Sequence, residues 1–521
     1  VATNMLDSES WARFGSAGAN LSGGSVSVTA AELSSASAVA GAAGAGAPGA
    51  KVGIGASVAL NLVATRATAE LADGSKLTGA DDVTLQATGT HAVVTQAEQG
   101  AAGGISITPV MATSIVSDRT TASIGAMSGG LTVTGDIAVD ATQLSTALTQ
   151  ASGVVAGDKA AVGAALAIAV LDEQTIATTS SSLRTGGAVS FVAKGASLAA
   201  TSAIASASGG NGADDAGQST DKDGSVDDKV QKQATGSSQR MAGAGIGDAS
   251  QRTALSAGGA SANGKSATSE GGVAVAAAIA VDVSTVNVQA YVPSSVGIAA
   301  GGALSVATVS NVDARTSADG STQGGGKAGV GAAVAINVIN ADNRAELGLA
   351  APVTSAGQIV GVTAGRYGAS ALNVSALKTN LGLAAPVGYA PADMPYAPSA
   401  TTALGRVDQI IAYAKSGASG AKVSVAGSLA VNVLTSKSIA GIESGAMVTI
   451  TPAGANDGAV VLAADHEAYV AAAALPAEDG ANGSKVGVGA SVALNTALTT
   501  SEASLKANAG LSGAKSLTVK A

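Results

Sequence analysis

The stretch Lys51 to Leu62 has the sequence KVGIGASVALNL, and Lys485 to Thr496 repeats it almost unchanged as KVGVGASVALNT. Bulky and small residues alternate in both copies with a period of two, which is typical of a β-strand. Self-similarity at separated positions is the signature of a repeat architecture. Further copies occur at Ala161–Val170, Val273–Val283, Ala328–Val338 and Lys422–Val433, with a poorer one at Gly103–Thr113.

The two faces of the repeated strand differ in side-chain size. One face carries Val52, Ile54, Ala56, Val58, Leu60 and Leu62, and the other carries Gly53, Gly55, Ser57, Ala59 and Asn61. Because bulk on one side marks the buried side of a strand, the pattern predicts that the Val/Ile/Leu face enters the core. The small face permits close approach of another layer, either within the chain or between molecules.

A second apolar phrase follows each first one. A single Leu or Val lies in the Gly/Ser/Asp-rich turn between them, at Leu77, Leu131, Leu183, Val296, Val353 and Leu511. The unit is therefore predicted to be a long strand, a turn, a short strand, a turn and a short strand, with almost no helix. Copies of the second phrase are Val26–Ala30, Val83–Ala87, Ile137–Ala141, Val189–Ala193, Leu304–Ala307, Val360–Ala364, Val460–Ala464 and Leu517–Ala521.

Alignment of the repeats gives the period. The column of Asn61 contains Ala112, Ala169, Asp282, Asn337, Asn432 and Asn495, with spacings by subtraction of 51, 57, 113, 55, 95 and 63 residues. A β-unit that buries its apolar face only against copies of itself predicts an elongated parallel β-solenoid. We expect two or more coils within each period, and the asparagines either stack as a ladder or serve strand-end geometry.

Two insertions are predicted to interrupt the repeats. The predicted organisation is solenoid at 1–208, a polar insertion at 209–265, solenoid at 266–377, a second insertion at 378–415 and solenoid at 416–521. The Asp-rich segment Asp221–Asp228 is interpreted as a solvated loop, with calcium as the only candidate cofactor. Because Leu404, Val407, Ile410 and Ile411 have helical spacing, a short helix is expected at Thr401–Lys415. Tyr389, Tyr396 and Tyr413 either line a ligand surface or cover a core edge.

Composition excludes several classes of protein. The 521 residues include 12% charged and 2% aromatic residues, no Cys and a formal net charge of −9. A nucleic-acid binder needs a basic surface and stacking aromatics, so no nucleic-acid partner is expected. The apolar runs are too short to cross a bilayer, so no transmembrane segment is expected. The two histidines, His91 and His466, are expected to face solvent rather than to bind metal.

Catalytic motifs are not found in the sequence. The paired carboxylates Asp81–Asp82, Asp214–Asp215 and Asp227–Asp228 fall in turns or loops, and the single tryptophan, Trp11, lies outside the repeats. A sugar-cleaving β-helix needs two carboxylates on one face beside an aromatic platform. We therefore predict a protein that is not an enzyme, without catalytic, cofactor-binding or metal-binding residues.

The VGxGASVALN-like phrases followed by VTVxA-like phrases resemble the stalks of giant repetitive bacterial surface adhesins of the filamentous-haemagglutinin-like type. The resemblance covers roughly residues 16 to 521 without the two insertions. It implies a right-handed β-solenoid, secreted to the cell surface, for adhesion to host or neighbouring cells or to polysaccharide, or for an extracellular filament or matrix. Self-association into a fibre is a further expectation.

Two alternatives stay open: a ligand- or carbohydrate-binding module presented by the insertions, and a β-helix polysaccharide-active enzyme. The start at Val1 without a leader suggests a segment of a longer chain.

Overall fold

The computed structural model describes residues 1–16, 18–41, 47–209, 271–323, 325–349, 365–379, 408–454 and 457–521. These residues form β-strands and turns, with no helix among them. The strands are β1 (Ala2–Phe14), β2 (Gly18–Asn20), β3 (Val26–Ala40), β4 (Ala47–Ile54), β5 (Ser57–Leu71), β6 (Lys76–Thr78), β7 (Val83–Ile124), β8 (Leu131–Val133), β9 (Ile137–Thr179), β10 (Leu183–Thr185), β11 (Val189–Gly209), β12 (Gly271–Pro293), β13 (Ile298–Ala300), β14 (Leu304–Gln323), β15 (Gly325–Leu349), β16 (Arg366–Ala369), β17 (Leu372–Lys378), β18 (Asp408–Ile442), β19 (Met447–Ile450), β20 (Ala459–Ala464), β21 (Ala468–Leu505), β22 (Gly510–Ser512) and β23 (Ser516–Lys520).

The paired strands run parallel, and paired residues are one full period apart in sequence. Asn4 pairs with Asn61, and Val83 pairs with Ile137. The predicted all-β class with parallel strands is confirmed. The expectation of two or more coils per period is wrong, because each period contributes one set of strands to the sheets and the next period pairs directly on it.

Each period is a strand folded back on itself. In β7, Val83–Gly103 runs outward and Ile105–Ile124 returns, with a register shift between Gly103 and Ile105. We call the outgoing segment of each period arm A and the returning segment arm B. The arms face each other, as shown by the 2.7 Å distance between Thr95 Oγ1 on arm A and Ser114 Oγ on arm B. Arm B therefore recurs in β1, β4–β5, β7, β9, β12, β15, β18 and β21.

The reversal between the arms requires glycine. Gly49, Gly103 and Gly157 lie in register at this tip. A Cβ on Gly157 would lie 2.1 Å from the carbonyl oxygen of Ala160, and one on Gly49 would lie 2.0 Å from that of Val52. Such contacts are far inside van der Waals distance, so only a residue without a side chain fits.

The opposite end of the arms is wider because a third set of short strands closes it. These are β2 paired with β6, and the sheet β8, β10, β13, β16, β19 and β22. The core here contains large side chains such as Leu85, Ile124 and Leu183. Towards the tip the core is almost entirely alanine, for example Ala97, Ala112 and Ala151. Core side-chain size thus follows the narrowing distance between the arms.

The predicted orientation of the repeated strand is wrong. Gly53, Ser57, Ala59 and Asn61 face the interior, whereas Ile54 is 62% exposed. The reason is that arm A lies directly opposite, and two sheets approach closely only where both carry small side chains. The small face therefore meets another layer of the same chain, which is one of the two possibilities left open by the sequence.

The strand that contains the second apolar phrase is longer than predicted. The phrase VTLQA at Val83–Ala87 begins arm A, and the strand continues to the tip. The single apolar residues at Leu77, Leu131, Leu183 and Leu511 lie in the short third strands as expected. In the next two layers that column holds Ile298 and Tyr367 instead of Val296 and Val353. Val353 is outside the described residues.

Direct pairing identifies where the repeats are interrupted. β9 pairs with β12, with Ala160 opposite Val273, so the 113-residue spacing is one period plus an insertion. Residues 210–270 and 380–407 are outside the described ranges, and with them Asp221–Asp228, Tyr389, Tyr396, Leu404 and Val407. The predicted helix is wrong for Asp408–Lys415, which begins β18. Tyr413 is buried beside Ile411 and packs against Tyr469, so it covers a core edge.

The strand resumes in register after residues 380–407. Ser310 pairs with Lys378 and Asp313 pairs with Gln409, so Thr379 and Asp408 occupy consecutive positions opposite β14. We predict that a variant lacking residues 380–407, with Thr379 joined to Asp408, keeps a cooperative thermal transition and the far-UV circular dichroism of the parent. Deletion of residues 411–438, of equal length but within β18, is the control and should abolish the transition. Loss of folding in the first variant would contradict the register.

Candidate functional site

A column of asparagines runs through the interior. Asn4 Nδ2 donates to Asn61 Oδ1 at 3.0 Å, Asn337 Nδ2 to Asn432 Oδ1 at 2.8 Å, and Asn432 Nδ2 to Asn495 Oδ1 at 2.8 Å. Stacking of the asparagines as a ladder is confirmed. The position between Asn61 and Ala169 is Ser114 rather than Ala112, because arm B of β7 is offset by two residues from the sequence alignment. Asn4 also belongs to the column and was not recognised in the sequence.

The same asparagines join arm B to arm A. Asn61 Nδ2 donates to the Val94 carbonyl oxygen at 2.7 Å, and Asn432 Nδ2 donates to that of Ala471 at 2.7 Å. Asn337 makes the equivalent bond to Ile411 at 2.9 Å. Because an unpaired buried amide is costly, each asparagine is held by partners on two sides.

A buried group of acids and hydroxyls lies beside this column. Thr65 Oγ1 and Ser145 Oγ donate to the two carboxylate oxygens of Asp118 at 2.6 and 2.8 Å, and Ser197 Oγ donates to Glu173 at 2.9 Å. Asp118 and Glu173 are register neighbours on adjacent layers. Burial raises the pKa of Glu173 well above its usual value, and the neighbouring Asp118 charge raises it further. A neutral Glu173 avoids two adjacent buried negative charges.

The expectation that His91 faces solvent is wrong. Its side chain is buried, with 1% of the residue exposed. His91 Nδ1 is 2.9 Å from both Ser34 Oγ and Glu32 Oε2, and Nε2 is 3.1 Å from Thr65 Oγ1. The ring fills a core position that serine occupies in neighbouring layers. His466 is half-buried, and burial together with Lys378 lowers its pKa.

Asp282 occupies the asparagine column with one carboxylate oxygen unpaired. Burial raises its pKa to about 7, opposed by the 2.8 Å hydrogen bond that Ser284 Oγ donates. Asp282 pairs in register with Asn337, whose Oδ1 is also unpaired. An ionised Asp282 has no donor to offer its register neighbour, whereas a protonated carboxyl group has one. The structure therefore suits a protonated Asp282, or an asparagine, at this position.

We predict that Asp282→Asn stabilises the protein at pH 8 by about 1–3 kcal/mol, since it supplies the missing donor without a buried charge. The raised pKa makes the folded state bind a proton more tightly than the unfolded state, whose pKa is near 3.8. Stability therefore falls as pH rises from about 4 through about 7. The variant should weaken this slope in thermal unfolding between pH 5 and 8. The exposed Asp172→Asn is the control, and an unchanged slope in Asp282→Asn would contradict the assignment.

A buried ion pair lies where the chain leaves and re-enters arm A around residues 380–407. Lys378 Nζ is 2.7 Å from Asp408 Oδ2, and both side chains are almost fully buried. Lys378 also donates to Ser310 Oγ at 3.3 Å, and the other oxygen of Asp408 accepts the Val312 amide at 2.9 Å. Each charge thus has a further partner, which a buried ion pair needs in order to be tolerated. The pair holds the two strand ends together.

Asp81 and Asp82 lie in a turn, where the Asp81 carboxylate accepts the Thr134 hydroxyl group and the Asp82 carboxylate accepts a backbone amide. Asp82 Oδ1 accepts the amide of Asp136 at 2.8 Å, and Asp136 in turn accepts the amide of Ala188 at 2.7 Å. Hydrogen bonds from the Asp136 amide and from Ser25 lower the pKa of Asp82. Carboxylates thus stack from layer to layer as turn caps. Asp214–Asp215 and Asp227–Asp228 are outside the described residues.

The described cavity is small and contains no titratable side chain. It has a volume of about 250 Å³ and is lined by Ser416, Ala426, Pro476, Ala481, Gly489, Ala490 and Ser491. Among the described residues, no group of three or more His, Cys, Asp or Glu side chains is placed to hold a metal ion. The neighbouring acids Asp118 and Glu173 lie inside the core, where a polysaccharide cannot reach them.

The outward side of arm B exposes apolar side chains near the tip. We call this part the apolar face, and it consists of the outward side chains between two register columns. The first column is Val52, Ile105, Ala160, Val273, Ala328, Val423 and Val486, and the second is Leu62, Ile115, Val170, Val283, Val338, Val433 and Thr496. Side chains such as Ile107, Ile279 and Val425 are 38–40% exposed. No described strand therefore covers this face.

The outward side of the same strands becomes polar beyond the Leu62 column. Arg66, Asp172, Asp342 and Lys437 lie there, with both signs of charge interspersed. Arm A differs on its outward side, where Val94, Leu148 and Ala200 belong to a buried cluster. Among the described residues, the broadest stretch of exposed apolar side chains is thus the tip-proximal part of arm B, whereas on arm A such exposure is seen in the first layer, at Leu33 and Val39.

No protein-family model, no curated protein and no solved structure matches this chain. Among the described residues there is also no helix long and apolar enough to cross a membrane.

Proposed function

We propose that this chain is a segment of a parallel β-solenoid that serves as the structural stalk of a secreted bacterial surface protein. One observation supports the proposal most strongly: arm B pairs in parallel, period after period, from β1 to β21. Arm A and the short third strands do the same beside it. Three sets of strands that advance together by one layer per period are expected of a solenoid, which supports the proposal.

The side chains support a structural role in the same way. Each layer covers the inner side chains of its neighbour, and the hydrogen-bonded asparagines, threonines and aspartates repeat from layer to layer. Stability in such a stack comes from contacts between adjacent layers. The buried acids have hydroxyl partners and serve the interior rather than a groove.

A second candidate, presentation of a ligand-binding segment, is favoured by the way the strand resumes at Asp408. The stack keeps its register across residues 380–407, and the Lys378–Asp408 pair holds the junction. A stalk that accommodates additional chain without loss of register suits the display of a binding segment. Comparison of binding to host cells, matrix and polysaccharide with and without residues 380–407 tests this candidate.

A layer deletion tests the solenoid itself. Because Val83, Ile137 and Val189 are in one column, removal of Ile137–Ala188 joins Asp136 to Val189 and places β7 directly on β11 and β12. We expect this variant to fold cooperatively and to be shorter by one layer, about 4.8 Å. The control removes Ile137–Val162, about half a period, and should not fold. Equal loss of folding in both variants would contradict a modular stack.

Surface labelling tests the location. Antibodies raised against the purified chain should label intact cells of the source organism as strongly as permeabilised ones. Antibodies to a cytosolic protein, applied to the same cells, control for leakage. Labelling that appears only after permeabilisation would rule out a surface stalk while leaving the solenoid architecture untouched.

A further inference from the structure

We propose that the apolar face is a self-association surface, on which a second copy of the chain docks face to face. The inference concerns an interface between copies and does not rest on the stalk function. It begins from the composition of the face. From β7 to β21 its positions are Val, Ile, Leu, Met, Ala or Pro, with Thr113, Gly427 and Thr496 as the exceptions.

The size of the face matches a stable protein interface. Seven strands spaced at about 4.8 Å and eleven residues at about 3.3 Å each give roughly 34 Å by 36 Å, or about 1,200 Å². A standard interface buries about 800 Å² on each partner. The largest apolar patch of a soluble monomer is typically about 300–600 Å². The face is therefore large enough for a dimer and too large for an ordinary exposed surface.

The apolar face is self-complementary in shape. A column of small residues, Pro109, Ala164, Ala277, Ala332, Gly427 and Ala490, forms a shallow groove. Beside it stands a ridge of larger residues, Met111, Leu166, Ile279, Val334, Leu429 and Val492. In a two-fold pair, the ridge of each copy fits the groove of the other, as an isologous interface requires. Both copies have the same strand spacing, so the match extends over all layers.

Charge and aromatic content favour a second copy over a lipid surface. Helices and patches that bind membranes combine apolar residues with Lys, Arg and Trp. The apolar face itself contains no Lys, Arg or Trp, and the chain has a net charge of −9. Exposed lysines border the face at the tip, at Lys51, Lys159, Lys327, Lys422 and Lys485, and in a two-fold pair they lie at the rim of the interface. The polar part of arm B, with Arg66, Asp172, Asp342 and Lys437, carries both signs and remains in solvent beside the dimer. Aligned packing of two sheets at about 10 Å is a common arrangement.

Sedimentation velocity of the full chain between 0.5 and 50 µM tests the proposal. The wild type should be a dimer, and the double variant Ile279→Lys/Val338→Lys should dissociate at least tenfold more readily. Gln289→Lys/Asn340→Lys, on the polar part of the same two strands, is the control and should remain dimeric. A monomeric wild type at 50 µM, or unaltered association in the Ile279/Val338 variant, would overturn the proposal.

Cysteine cross-linking provides a test that does not depend on the folding of a charged variant. The chain contains no cysteine. A mixture of Ile279→Cys chains with Ala277→Cys chains should form disulfide-linked dimers under mild oxidation, because ridge meets groove in the two-fold pair, whereas a mixture of Asn340→Cys with Ala277→Cys chains should not. Equal cross-linking of the two mixtures would refute the two-fold arrangement. Co-sedimentation of a monomeric wild type with neutral phosphatidylcholine vesicles, lost in the Lys variant, would instead assign the face to lipid.

Discussion

Close approach of the two arms is the constraint on which the rest of the structure depends. A Cβ on Gly320 would lie 1.8 Å from the carbonyl oxygen of Ala332, and one on Gly331 would lie 2.3 Å from that of Gly417. The inner face of arm B near the tip therefore carries mostly Gly, Ala, Ser and Asn, with Thr108 and Val110 among the exceptions. Larger core side chains, such as Leu85 and Ile124, occur where the short third strands hold the arms apart. The Val/Ile/Leu side of arm B is then left to face outward.

Small side chains leave little apolar area to bury, and the interior compensates with hydrogen bonds that repeat from layer to layer. Asn61, Asn337 and Asn432 each bond to an arm A carbonyl group. Hydroxyl groups surround the buried acids, and burial favours the protonated form of Glu173 and Asp282. Buried hydrogen bonds of this kind fix the register of the strands, because a slip of one strand along its neighbour would leave these groups without their partners.

The sequence alone gives the repeats, the strand period and the parallel all-β class, because these follow from alternation and self-similarity. It also identifies Leu77, Leu131 and Leu183 as a structural column. The orientation of arm B is not predictable in this way, since the rule that bulky residues face inward assumes space on the inner side. The helix predicted at Thr401–Lys415 fails at Ile410 and Ile411 for a related reason: both faces of arm A are buried there, so adjacent apolar residues occur in a strand.

The burial of polar side chains was also not predictable from the sequence. His91 and Asp118 carry no local signal of burial, because their partners Glu32, Thr65 and Ser145 come from other strands and other layers. Only the three-dimensional register brings these groups together. The two-residue offset that places Ser114 in the asparagine column arises in the same way, from the register of β5 on β7.

The length of the arms determines how many residues the chain needs for each ångström of stack height. A layer of about 55 residues rises only about 4.8 Å, so each ångström of height requires on the order of eleven residues. Arms of about twenty residues span roughly 66 Å, and the stack of this chain is accordingly broader than it is tall. Since the bending rigidity of a beam increases steeply with its breadth, a stack of these layers strongly resists bending in the direction of the arms. Such a stack becomes tall only in a very large polypeptide, because each layer uses so many residues.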